Sequence, residues 1–453
     1  MDSEKMSKLK VGYLSLVKGS WINGTLEDRR RQALTALTTL DVEIVDCGLL
    51  IQSEVEAEKV FRKFEAARVD VILAHFITFS LGSIVPGMAV RLRKPVIFWS
   101  EPEPPMTGGR IATNSFCATN MNAHALWKMD LKYALVYGHA DTVMPQLRQH
   151  LKVIGAIEML KSVRVGSLGG RVPGFYTSDF NELALREKFG VEAENITLLE
   201  LVKLAESISG ETLDQNIAEV KGDSDCRISD NEITRGGALL AAFKELSEKY
   251  RLNAWTARCW PEFSDIYGIG ICHLLGCMTN CGIPVACEGD MYGAVAMLLV
   301  KALSGSDAFF CDLISFDPDG DTGLFWHCGA APRSLCKEGC KSALLKHSII
   351  DGGDKKGIAV EFPLKPGPVT VIRIGDTRDG NGYRLLSISG EGLETEQLLH
   401  GTPLTVRFNR PASEMIGKLV DSGFEHHYVL CHGDIRKELR IFAKMLDLEL
   451  IEL

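Results

Sequence analysis

Five short apolar runs in the first third of the chain (residues 10–16, 42–47, 69–74, 95–99 and 133–137) alternate with amphipathic stretches such as 26–40 and 54–67. Apolar runs of this length read as strands buried on both faces. The stretches between them carry apolar residues at helical spacing. Chains that alternate in this way form a parallel sheet with helices on both sides. The segment EPEPPMTGG (101–109) follows the fourth run. It is too rich in proline and glycine to be a helix. It reads as a loop at the carboxyl end of a strand, where open α/β sheets bind ligands.

A second unit of the same kind begins near Arg164. Residues 163–167 predict a strand and LGGRVPG (168–174) its turn, with helices over 181–189 and 198–209. A polar stretch, 211–230, leads to a helix over 235–250, and strands are expected over 254–259 and 284–287. The LGG turn lacks the full G-x-G-x-x-G spacing of a phosphate loop and reads as a plain tight turn. After about Ser304 the strands alternate and turns become frequent, as in PLKPGPVTVIRIGD and GTPLTVRFNR. That pattern predicts antiparallel sheet or a small barrel. The expected fold is therefore α/β, with two Rossmann-like doubly wound parallel-sheet domains (1–162 and 163–304). A mostly antiparallel β C-terminal domain (305–453) follows and completes the active site.

The 453-residue chain has a net charge of −9, which argues against a nucleic-acid polyanion as its partner. No run approaches the roughly 18 apolar residues of a membrane span. The first ten residues, MDSEKMSKLK, mix both charges and run into a strand, so a cytoplasmic protein without a leader is expected. The thirteen cysteines are an odd number. They read as free, largely buried thiols of a reducing compartment. Two C-x3-C pairs, Cys277/Cys281 and Cys336/Cys340, do not make the two consistent knuckles of structural zinc, and these thiols are taken as structural.

Chemistry gathers at strand ends in the second half. In VACEGDMYGAVAML the carboxylates Glu288 and Asp290 sit where an apolar strand turns into a helix. Asp312 follows AFFC, His327 follows LFW, His427 precedes YVL and His432 follows VLC. A charge bordering an apolar run must be paired or bind a metal. Two carboxylates with imidazoles suit Mn²⁺, Fe²⁺, Co²⁺ or Zn²⁺ ahead of Mg²⁺. Asp290 reads as the cap of the helix 291–303 or as a partner of the ligands. His427 and His432, five apart, point to opposite faces of an extended strand and cannot easily bind one metal together, and His432 reads as a group that donates to or orients a ligand. Arg258 and Trp260, with Glu262 beside them, follow a predicted strand and put a guanidinium and an aromatic at its end.

These blocks resemble the L-fucose isomerase and L-arabinose isomerase superfamily. CEGDMYGAVAML is similar to the segment carrying the first metal-binding glutamate, here Glu288. AFFCDLISF is similar to the segment of the second carboxylate, here Asp312. LFWHCGAAP puts His327 where arabinose isomerases have a further histidine ligand, and HHYVLCHGDIRKELRIFAKMLDLELI puts His427 at the tail ligand. The SLGG turn (167–170) and the ARCW segment (257–260) share in the resemblance, while the N-terminal third matches only in general form. The resemblance implies a metal-dependent aldose–ketose isomerase acting on a free sugar, neutral or anionic, through an enediol. Glu288 and Asp312 would be ligands and proton shuttles together, and Arg258, Trp260 and His327 would contact substrate. Mn²⁺ is the foremost cofactor, with Co²⁺ or Mg²⁺ as alternatives. A homo-oligomer, trimer or hexamer, is also implied, with the N-terminal loop headed by Trp99 and Glu101 near a neighbouring active site. Two other classes stay open: a non-enzymatic sugar-binding or regulatory protein, and another divalent-metal sugar enzyme such as an aldolase.

Overall fold

The structure, a computed structural model, describes residues 8–106, 108–347 and 356–453. These fall into two units, Met1–Glu158 and Met159–Leu453. In the first unit the strands are β1 (Lys10–Leu16), β2 (Glu43–Ile51), β3 (Val71–Phe76), β4 (Val96–Ser100) and β5 (Tyr133–Tyr137). They form one parallel sheet in the order β2-β1-β3-β4-β5. Strands β3 and β4 are buried along their whole length, which is why their sequences show no polar alternation. The helix Glu54–Ala67 opens on a capping box between Ser53 and Glu56, which satisfies two of the free N–H groups at its start. Its Phe61 and Phe64 are buried in a core shared with Val85, Met88 and Leu126. Each such ring contributes about 2–3 kcal/mol. Gly12 on β1 leaves the space that the Phe64 ring fills, since a Cβ there would lie 2.6 Å from it.

The second unit carries β6 (Arg164–Leu168), β7 (Glu192–Ile196), β8 (Asp225–Cys226), β9 (Ala254–Ala257) and β10 (Val285–Cys287). These are followed by β11 (Phe309–Asp317), β12 (Thr322–His327), β13 (Ala343–Leu345), β14 (Ala359–Glu361) and β15 (Gly367–Asp376). The last strands are β16 (Tyr383–Gly392), β17 (Thr402–Phe408), β18 (His427–His432) and β19 (Glu449–Glu452). Strands β10-β9-β6-β7 make a four-stranded parallel sheet. The later strands run β15-β18-β11-β12-β17-β16-β19, and the additional β15–β16 pairing closes six of them into an antiparallel barrel. Strand β19 is added parallel to β16. A small sheet, β14-β13-β8, completes the unit.

Two expectations are corrected here. The polar stretch 211–230 is not without structure: it holds the helix Gly210–Lys221. It then starts the helix Asp230–Tyr250, five residues ahead of the expected position. The early start follows from a capping box between Ser229 and Glu232. The first of these helices buries little besides Asn216 and Val220, so its apolar stripe is too thin to read in sequence. Among the described residues no helix is long and apolar enough to cross a membrane.

Candidate active site

Strand β10 ends in an apolar triplet, and the chain then turns through two residues of left-handed backbone, Glu288 at φ 61° and Gly289 at φ 80°. The helix Met291–Ser304 begins immediately afterwards. A left-handed glutamate is uncommon and held only where its surroundings demand it. Gly289 has no alternative, because a Cβ there would lie 2.5 Å from the Gly170 carbonyl oxygen and 2.6 Å from the Arg171 Cα. The LGG turn is therefore a tight turn whose task is to back this corner, with Gly169 and Gly170 both at positive φ.

The corner aims Glu288 at the start of β18. Glu288 Oε2 lies 2.9 Å from His427 Nε2, and Glu288 Oε1 accepts from Trp260 Nε1 at 3.1 Å. Asp312, paired with His427 in the β11–β18 ladder, brings its Oδ1 to 3.8 Å from the same Nε2. That oxygen is buried and has no hydrogen-bond partner. His426 lies against His427 at 3.9 Å between ring centres. Glu288, His426 and His427 each offer a ligand atom within 4.8 Å of the others. Phe175 meets both Trp260 and His426 edge-on, and Phe310 lies against His427.

Behind His427 stands Asp290. It accepts from the Gly293 N–H at 2.8 Å, as a helix cap does, and its Oδ2 lies 3.0 Å from His427 Nδ1. It also pairs with Arg373, fully buried on β15, which in turn reaches Glu425 at 3.3 Å. Burial opposes ionisation of Asp290, but Arg373, ahead of His427, holds its carboxyl well below the usual range. Burial likewise works against the His427 cation, yet its bonds to Asp290 and Glu288 push it up to about 9. Glu288 is lowered, with burial opposing and His427 the main cause. Both carboxylates accept only, so without a metal His427 is an imidazolium donating to each.

This donor set fits a divalent cation. Glu288, Asp312 and His427 converge, and the orphaned Asp312 oxygen is what a missing cation would leave. The mixed oxygen and nitrogen chemistry suits a transition metal. Asp290 would hold the Nδ1 proton and so present Nε2 as the ligand atom. His327, buried at the end of β12, accepts the Cys328 N–H through Nδ1 at 2.9 Å, and its ring lies 5.7 Å from Phe310.

Other predicted residues fall elsewhere. Arg258 is paired with Glu262, its Nε 2.9 Å from Oε2, so both are engaged with each other. His432 does not orient His427; its Nε2 bonds the Lys365 carbonyl at 2.8 Å, and Asp290 takes the orienting place instead. In the first unit Trp99 is fully buried, stacked on His75 at 3.9 Å and donating to the Gly138 carbonyl. It is a core residue next to the end of β4, and Glu101 opens the loop that follows. Glu101, 5% exposed, bonds His75 Nε2 at 2.7 Å and Arg29 at 3.2 Å. It lines a cavity of about 860 Å³ with Asp28, Gln32, His139 and Asp141. Of the C-x3-C pairs, Cys277 meets His273 and Cys281 donates to Glu219, while the Cys336 thiol reaches the Cys340 carbonyl. Sequence reasoning missed His426, Arg373 and Glu425. Only the HH doublet before β18 signalled any of them.

The model of the L-fucose isomerase C-terminal domain matches residues 325–453. A sulfoquinovose isomerase of Alkalicoccus urumqiensis is 30% identical over 85% of this chain and 86% of its own. Another, from a Clostridium species, is 27% identical over 98% of this chain and 99% of its own. An L-arabinose isomerase of Saccharophagus degradans is 23% identical over 70% of this chain and 65% of its own. With that similarity spread over most of its length, the chain belongs to the L-fucose and L-arabinose isomerase superfamily and is an aldose–ketose isomerase.

Proposed function

We propose that this isomerase converts a sulfonated aldose, sulfoquinovose, to its 2-ketose, using a divalent cation held by Glu288, Asp312 and His427. The observation that carries the metal reading is the convergence of Glu288 Oε2 and the orphaned Asp312 Oδ1 on His427 Nε2. The substrate reading rests on the relatives named above, whose similarity runs nearly from end to end.

Isomerisation removes the proton at C2 of the open-chain aldose and returns a proton to C1 through an enediol, with a proton moving from O2 to O1. Two acid–base groups are needed, one near each carbon. Glu288 and Asp312 supply them. The lowered pKa of Glu288 keeps it in the basic form, and Trp260 fixes its Oε1 so that Oε2 faces the site. The cation, when bound, supplies Lewis-acid stabilisation of the charge that develops on the two oxygens. Asp290 keeps a proton on Nδ1 of His427, and the rings of Phe175, Phe310 and Trp260 wall the site with apolar surface. Arg171, carried by the turn that backs Gly289 and lying over the Tyr176 ring, is the cation this reading assigns to an anionic sugar. Arg258 is neutralised by Glu262 and is set aside for that role.

The test uses the full chain stripped by chelation and reloaded with Mn²⁺, Co²⁺ or Ca²⁺, then offered sulfoquinovose and neutral aldoses in deuterated water. Ketose formation with deuterium at C1 is expected with Mn²⁺ or Co²⁺, and far less with Ca²⁺, which an imidazole disfavours. Full turnover by the stripped protein would overturn the metal reading. Turnover of neutral aldoses alone would overturn the substrate reading.

A further inference from the structure

Four cysteines of the second unit converge from separate segments. Cys259 follows β9, Cys272 opens the helix Cys272–Asn280, Cys287 ends β10 and Cys328 follows β12. The Cys272 thiol contacts that of Cys328. Its Sγ lies 3.5 Å from Cys328 Sγ and 3.2 Å from Nε2 of His347, which follows β13. Cys272, Cys328 and His347 each offer a ligand atom within 4.8 Å of the others. On the far side Cys287 donates to Cys259 Sγ at 3.1 Å.

We infer that Cys272, Cys328 and His347 form a second metal site, one that holds a single Zn²⁺. Two thiolates on one zinc, each about 2.3 Å from it, stand about 3.7 Å apart, close to the separation seen between Cys272 and Cys328. Buried cysteines elsewhere behave differently. Cys47 and Cys311 reach backbone carbonyls, at Leu49 and Tyr428, as inert thiols do.

The site has a purpose beyond holding the fold. Cys328 adjoins His327. An ion held there would fix the backbone from which the His327 ring projects.

The test does not depend on catalysis. In the full chain carrying Glu288→Gln with Asp312→Asn, the carboxylate centre is disabled. One zinc per chain should still be found by elemental analysis after purification. Exchange of that zinc for Co²⁺ should produce intense thiolate-to-cobalt charge-transfer absorption. Adding Cys272→Ser with Cys328→Ser should remove both. Should that variant not fold, titrating the thiols of the parent protein with a mercurial replaces it, and zinc should then be released in step with thiol modification. Absence of zinc from the carboxylate variant overturns the proposal. So does bound metal without the charge-transfer band, or a Cys272–Cys328 disulfide in protein purified without oxygen.

Discussion

Replacing Asp290 with asparagine separates the two duties of that side chain. The amide oxygen can still accept from Gly293 N–H, so the helix cap survives. The charge does not, and Arg373, with no exposed side-chain surface, keeps only Glu425. Breaking a buried ion pair by removing one partner costs about 3–5 kcal/mol, and with Glu425 still in place the low end, about 3 kcal/mol, is expected. That should lower Tm by at least 6 °C or so, at about 2 °C per kcal/mol for a large domain. His427 loses the carboxylate that holds its Nδ1 proton, so metal affinity and kcat should each fall about 10–100-fold. The pH profile carries the same signature. In the metal-free protein His427 has a folded pKa of about 9, above its unfolded value. Its contribution to stability is complete below about pH 6.5 and is lost as pH rises through about 9. Metal competes with that proton, so affinity should climb over the same window. Both slopes should flatten in Asp290→Asn. Calorimetry of the metal-free protein and metal titrations from pH 6 to 10 measure these effects. Wild-type melting and unchanged metal affinity would refute the coupling of Arg373, Asp290 and His427.

Glu288→Gln and Asp312→Asn should each lower kcat by about 10²–10⁴-fold as proton shuttles, and more if metal is lost as well, measured as ketose formed per bound metal. A mild effect at either would move the proton transfer to another group. His427→Ala should lower metal content directly, whereas His432→Ala should keep the metal, because His432 bonds the Lys365 carbonyl and stands apart from the site. Elemental analysis of the two purified variants decides that point. Arg171→Ala should raise KM for a sulfonated aldose at least tenfold, about 1.4 kcal/mol, while leaving any neutral aldose unchanged. An equal loss for both substrates would assign Arg171 to the support of the Gly289 corner.

The parallel sheets were legible because their strands are buried on both faces and announce themselves as apolar runs. The barrel was legible from alternation, with β15, β16 and β17 lying where the turn-rich repeats are. The helix Gly210–Lys221 was hidden because its buried residues are few and polar, Asn216 among them. Of the candidate site, the residues at apolar strand ends stand out in the sequence: Glu288, Asp312, His327 and His427. Arg373 could not. It lies in the middle of a strand whose neighbours are apolar, and only the fold brings Asp290 and Glu425 to it. His432 was misjudged from the same cause. Period-two alternation gives the face of a side chain but not what stands on that face.

The acids after β10 thus have distinct tasks set by two residues of backbone. Glu288, turned out of the strand by a left-handed φ, faces Nε2 of His427. Asp290, two positions on and already at the helix cap, faces the opposite nitrogen. One imidazole is therefore gripped from both sides by a single short turn. The grip is anchored in the barrel, because Asp290 is also the counter-charge of Arg373 on β15, the strand that pairs with β18. A shift of β18 relative to the β10 corner would break the bond between Asp290 and His427. Stability of the second unit and geometry of the candidate site are consequently tied to one carboxylate. Gly289 cannot relax that tie, since the Gly170–Arg171 turn leaves no room for any side chain there.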